Sequence, residues 1–215
     1  MGLYDRDYGR ADQTPWDRVQ KPRSMTVTLI IINVVVFLFS MLFFNNGSSS
    51  SESFDILGFF GFVPDTLFEP WKWWQFLTYG FFHDLNSPFH ILFNMIMLYV
   101  FGRMVEARMG AGEFLRFYLL AIVIGGIIGA TTGLAMDFLP TAAETGREVM
   151  STPPTIGASG GVLALVVMFA CYFPQQELFL WGIIKLKAWV LAALCVGMDL
   201  LGSIYSLAGG ETSTA

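Results

Sequence analysis

Three residues of this sequence could together support nucleophilic acyl chemistry: Ser159, His90 and Asn94. Ser159 sits in Gly157-Ala158-Ser159-Gly160-Gly161, where a long apolar run begins. Small neighbours leave a hydroxyl uncovered and let a second helix approach closely. A helix starting there aims unpaired N–H groups and a positive dipole end at any negative charge developing beside the serine. His90 and Asn94 occur in Pro88-Phe89-His90-Ile91-Leu92-Phe93-Asn94, at i and i+4, and so share one helix face. Both can donate to an oxygen. If that helix lies against the serine turn, the two side chains and the Ser159 N–H make an oxyanion hole. The same spacing also suits polar groups that only bond a neighbouring helix.

The elements that must position these residues are membrane helices. The 215 residues are 54% apolar and 13% charged, and 21 are phenylalanine. A soluble domain carries about 25% charged residues. The mean hydropathy is +0.58. The expected fold class is therefore all-α, a polytopic membrane helix bundle. Five segments are long enough to cross a bilayer, which takes roughly 17–25 apolar residues. They fall near 25–44, 88–104, 117–136, 156–173 and 188–207. The expected organisation is a tail over 1–24, a membrane domain over 25–207 and a C-terminal end over 208–215. The first apolar run follows a charged tail, and Phe43-Phe44-Asn45-Asn46 is no small-residue cleavage site, so the run reads as a retained anchor.

Basic residues set the expected orientation. Arg6, Arg10, Arg18, Lys21 and Arg23 precede the first segment. Arg103, Arg108 and Arg116 lie between the second and third, and Lys185 and Lys187 between the fourth and fifth. Only Lys72 and Arg147 remain for the other side. By the positive-inside rule the N-terminus is cytoplasmic and Ser159 starts its helix at the extracytoplasmic face. The stretch from residue 45 to 87 holds a serine run, then Leu57-Gly58-Phe59-Phe60-Gly61-Phe62-Val63-Pro64 and Pro70-Trp71-Lys72-Trp73-Trp74. It is too broken by Gly and Pro to span, and its tryptophans suit the headgroup level. A compact aromatic loop clear of the membrane is the other reading.

The remaining polar groups suggest structural work. Arg103 and Glu106, at i and i+3, are expected to form an interfacial ion pair. Asp199, inside the fifth segment, should be hydrogen-bonded, protonated or near the membrane edge. Gly125, Gly126, Gly129 and Gly133 should form a close helix-packing face. Cys171 and Cys195 read as buried thiols. No His/Cys/carboxylate cluster has metal-ligand spacing and no phosphate loop is present, so no cofactor or metal is expected. A net charge of −5 divided among tails and loops gives no reason to expect nucleic acid.

At this point the residues resemble a family, the rhomboid intramembrane serine proteases. Its pattern of His-x-x-x-Asn on the second helix and Gly-x-Ser-Gly on the fourth is matched by His90 and Asn94 and by Gly157-Ala158-Ser159-Gly160. Trp74-Gln75-Phe76-Leu77-Thr78 is similar to the family's Trp-Arg-x-x-Thr, with Gln75 in place of arginine. Phe82-His83 is similar to the Leu-His that commonly precedes the second helix, and Phe101-Gly102 through Glu106 and Gly110 to that helix's end. The resemblance runs from about Val63 to Leu207. It implies a six-helix bundle with a wet cavity open to the outside, and serine attack on transmembrane segments of membrane proteins. Ser159 would be the nucleophile, with His90, Asn94 and the Ser159 N–H as oxyanion donors. The implied partners are transmembrane substrates with helix-destabilising residues near the outer face, and the lipid bilayer, as in the plasma membrane of a bacterium.

Serine attack also needs a base. The resemblance places a histidine for this on a sixth helix, whereas the sequence holds only His83 and His90. The expectation is a chain cut before its sixth helix, inactive as it stands. A five-helix relative that binds transmembrane segments without cutting them is the second reading. A small transporter or channel subunit using His90, Asn94 and Asp199 as a polar path is a third.

Overall fold

The computed structural model describes residues 24–44, 56–137, 154–180 and 184–207, with the backbone alone at 44, 136–137, 180, 184 and 203–207. The arginines and lysine of the N-terminal tail, the serine run 48–51, Pro140, Arg147, Pro153 and the end 208–215 lie outside the described residues. The chain is an all-α membrane bundle with one small hairpin. Its helices are α1 (Met25–Phe44), α2 (Ile56–Phe60), α3 (Gln75–Thr78), α4 (Pro88–Met97), α5 (Arg103–Met109), α6 (Ala111–Asp137), α7 (Ser159–Tyr172) and α8 (Ala188–Leu207). A π-helical turn, Leu98–Gly102, joins α4 to α5. Together they form one apolar rod, Pro88–Met109, of 22 residues.

Among the described residues, three helices are long and apolar enough to cross a membrane: Met25–Phe43, Pro88–Met109 and Ala111–Ala135. The fourth and fifth expected segments are apolar helices too, but shorter over their described side chains, at Ser159–Tyr172 and Ala188–Gly202. The second and third helices run well past the ranges expected from apolar content. Charged Arg103, Glu106, Arg108, Glu113 and Arg116 resemble a loop in sequence, yet charges emerging from the hydrocarbon remain helical. The loop shrinks to Gly110, whose φ of 88° reverses the chain between α5 and α6. At the other end α7 stops at Tyr172 because Pro174 disfavours helix before it.

The core gathers around α7. Leu165 and Phe169 are fully buried, as are Phe114, Tyr118 and Ile122 of α6. The α6 glycines work differently from the expected helix face. Only Gly125 meets α7, where a Cβ would come within 3.9 Å of the Gly160 Cα. Gly126 instead receives Phe76 and Tyr79, Gly129 receives Phe62, and Gly133 receives Pro64. A glycine notch admits a ring as readily as a helix backbone, and spacing does not distinguish the two. The aromatic stretch is thus split: Phe62, Phe76 and Tyr79 fill α6, while Phe59, Phe68, Trp71 and Trp73 are exposed.

Glu106 does not pair with Arg103. Its carboxylate accepts from the Ser24 hydroxyl at 2.5 Å, the Met25 N–H at 2.7 Å, the Thr26 N–H at 3.0 Å and the Thr26 hydroxyl at 2.7 Å. It therefore satisfies N–H groups left over at the start of α1, where a negative charge also suits the dipole. Arg103 turns instead to the Tyr99 hydroxyl at 2.9 Å.

Between α7 and α8 the chain forms an antiparallel hairpin, β1 (Glu177–Leu180) and β2 (Ile184–Lys187), with Glu177 opposite Lys187 and Phe179 opposite Lys185. Both cysteines are free; Cys171 is exposed and Cys195 half-buried, so neither is the core thiol expected. In a membrane protein a lipid-facing residue and a core residue draw on the same composition. Asp199 lies on an exposed side of α8.

Candidate active site

Ser159 is the first residue of α7, and its side chain is exposed while Gly157 and Ala158 before it are buried. The approach to it is an extended segment held on one side by the aromatic loop. Thr155 and Phe62 exchange two hydrogen bonds, Thr155 N–H to Phe62 O at 2.8 Å and Phe62 N–H to Thr155 O at 3.3 Å. Gly157 N–H donates to the Tyr79 carbonyl at 2.9 Å. The Tyr79 phenol is fixed in turn by donating to Ile122 O of α6 at 2.8 Å, and burial pushes its pKa up to about 12. Gly157 has φ 123°, a conformation side-chain-bearing residues rarely adopt.

Gly157 also has both His90 and Ser159 as side-chain neighbours. A Cβ there would stand 3.2 Å from His90 Cε1, 3.4 Å from His90 Nε2 and 3.8 Å from Ser159 Oγ. The structure thus brings two of the three sequence-chosen residues to one point. Asn94 follows one turn along the same face of α4, and is 4% exposed. Its Nδ2 has no hydrogen-bond partner among the described residues. A buried amide donor left open costs about 1–3 kcal/mol. Such a group is kept where something else occupies its hydrogen bond.

Sequence reasoning assigns His83 no role, yet it is 1% exposed and its Nε2 accepts from the Ala158 N–H at 3.4 Å. Its ring meets that of His90 edge-on, with centroids 5.6 Å apart. Burial, then the neighbouring His90, hold its pKa down to about 4, against the weaker pull of the Phe81 carbonyl. The signal available in sequence is a lone imidazole between two phenylalanines and the start of the His90 helix.

Gln75, the departure from the family's arginine, is buried and braces the loop. Its Nε2 donates to Phe59 O at 2.7 Å and its Oε1 accepts from Thr66 Oγ1 at 3.1 Å. Thr78 adds a bond from its hydroxyl to Phe60 O at 2.9 Å. A neutral amide satisfies both partners without bringing in a charge.

The arrangement places an exposed serine hydroxyl at the first turn of a helix, beside a helix that carries His90 and Asn94 on one face. Comparison with known proteins identifies the family. The Rhomboid domain family matches residues 70–214. The chain is 31% identical over 121 residues to the Rhomboid protease GluP of Bacillus subtilis (strain 168), covering 56% of this chain and 22% of that protein. It is 27% identical over 189 residues to RHOMBOID-like protein 12, mitochondrial, of Arabidopsis thaliana, covering 86% and 52%. With Rhomboid-like protein 19 of Arabidopsis thaliana it shares 25% over 134 residues, covering 62% and 41%. The chain therefore spans about half or less of the length of these relatives.

Proposed function

Because the chain belongs to the rhomboid family, an integral membrane family, we propose that it is an intramembrane serine endopeptidase. It cleaves transmembrane segments of membrane proteins near the extracytoplasmic face. Ser159 is the nucleophile, and His90, Asn94 and the Ser159 N–H hold the oxyanion. The observation that carries this reading is that Ser159 Oγ and the His90 ring both flank Gly157, one turn from the open Asn94 donor.

The depth of the serine supports it. The 14 residues of α7 rise about 21 Å, against about 30 Å of hydrocarbon. If Tyr172 ends at one face, Ser159 begins inside the bilayer rather than at its surface. Water must then reach it through the protein, and an unwound substrate must come to it. A hydrogen-bonded helix hides its carbonyls, so helix-weakening residues at the cut would favour cleavage. The distribution of basic residues supports a cytoplasmic N-terminus, as in the plasma membrane of a bacterium.

A second reading is a rhomboid-like protein that binds transmembrane segments without cutting them. Its support is the state of the histidines at the site: the Nε2 of His83 is already taken by Ala158 N–H. His83 cannot receive the Ser159 proton through that nitrogen, and His90 is assigned to the oxyanion.

A fluorophosphonate probe decides between the two. Labelling of the wild-type protein that disappears in Ser159→Ala supports the peptidase. A wild type that resists the probe but can be photocrosslinked to an added transmembrane peptide supports the binder. Labelling that survives Ser159→Ala overturns the nucleophile.

A further inference from the structure

His83 is a buried imidazole for which the chemistry above has no use. Its Nε2 accepts from Ala158 N–H. A nitrogen that accepts cannot carry a proton, so in this state the ring is neutral and protonated on Nδ1, a buried atom that makes no well-aligned hydrogen bond among the described residues. Gly157 N–H is meanwhile bound to Tyr79 O. Both N–H groups before Ser159 are therefore committed. That of Ser159 has no acceptor among the described residues. Ala158 is fully buried, so without His83 its N–H would be left unpaired, and the peptide would turn to find another partner. Such a turn rotates the neighbouring Ser159 N–H out of place. The edge-on contact with His90 means that the same imidazole also limits how the His90 ring can tilt.

We propose that His83 is a positioning residue of the serine site: a neutral, Nδ1-protonated imidazole that takes up the Ala158 N–H and braces the His90 ring, leaving the Ser159 N–H and the His90–Asn94 face to address the substrate carbonyl. The proposal rests on Ser159 being the nucleophile. Charge around the ring is sparse. His90 faces it from α4. Asp84, next in the chain, is turned to the Asn86 N–H at 2.9 Å and Nδ2 at 3.2 Å. The Tyr79 phenol is bonded to Ile122 O. Protonation would put a hydrogen on Nε2 and set it against Ala158 N–H, breaking the bond.

The test uses the whole chain in lipid nanodiscs with nitrogen-15 histidine. With only two histidines, His83→Gln assigns the spectrum by difference. The expected His83 signals are those of the Nδ1-protonated tautomer, titrating near about 4. Fluorophosphonate labelling of Ser159 should persist in His83→Gln, whose amide oxygen can accept from Ala158. It should fall about 100-fold in His83→Phe, which keeps the ring but offers no acceptor. An Nε2-protonated ring, a His83→Phe that labels like wild type, or a His83→Gln as slow as His83→Phe overturns the proposal. If the wild type does not label at all, the assignment of Ser159 is what fails, and the tautomer and its titration still decide on His83.

Discussion

Tyr79 and Gly157 are joined by a 2.9 Å hydrogen bond between backbone groups, and through it the segment leading to Ser159 hangs from the aromatic loop. The loop is seated in α6 by Phe62, Phe76 and Tyr79, so the position of Ser159 depends on that helix. The site is built by three elements meeting at a glycine, and Gly157 is where a small change should have the largest effect.

Gly157→Ala should abolish Ser159 labelling. The new methyl would need φ near 123°, a conformation that costs a non-glycine residue about 1–3 kcal/mol. It would also press on His90 Cε1 at 3.2 Å. Thermal unfolding and probe labelling measure both effects. Wild-type labelling with an unchanged midpoint would show that the turn is not strained as described.

Asn94→Leu should separate stability from activity. The Nδ2 it removes is buried and unpartnered among the described residues, so the fold should gain up to about 1–3 kcal/mol. Loss of an oxyanion donor should slow acylation by about 100- to 1000-fold. A variant that is both less stable and fully reactive would mean that Asn94 bonds the bundle and not a substrate.

Glu106→Ala should loosen α1. Four donors from Ser24, Met25 and Thr26 lose their acceptor at once, and water at the helix end recovers only part of the loss. The expected cost is about 2–3 kcal/mol in reversible unfolding, with Glu106→Gln in between. Arg103→Ala should cost much less, since its bond is a single one to the Tyr99 hydroxyl. Equal costs would restore the ion pair expected from spacing.

Stability should fall in acid through His83. Its pKa is lowered from 6.5 to about 4 in the fold, so between those values the unfolded chain binds a proton that the native state refuses. The contribution is complete above 6.5 and shrinks as pH falls toward about 4, reaching a loss of about 3 kcal/mol. Unfolding midpoints followed across that window should separate wild type from His83→Gln. Parallel curves would show that His83 titrates as an ordinary exposed imidazole.

The reach of the sequence follows from how far apart the interacting residues lie. Ser159, His90 and Asn94 can be picked out because each carries its meaning in a few adjacent positions, and the i, i+4 spacing of the pair survives as a shared face on α4. The bond between Glu106 and the start of α1 joins residues about 80 positions apart, and nothing local favours it over a neighbour three residues away. His83 is matched by resemblance but gets no role for the same reason, its partner Ala158 being 75 residues on. Helix ends are misjudged where apolar content stops before the backbone does. The alternating Ile184-Lys185-Leu186-Lys187 has the period of a strand, but between two apolar segments it passes for a simple connection.

The single glycine between α5 and α6 has a consequence for how the protein is made. Helices Pro88–Met109 and Ala111–Ala135 leave no linker in which the first could settle while the second waited outside. They must enter the bilayer as a pair. His90 and Asn94, which would burden a lone segment during insertion, are carried in beside the more apolar partner that follows. Lengthening the turn at Gly110 would uncouple the insertion of one helix from that of the other, and the site's polar face would then cross into lipid unaccompanied.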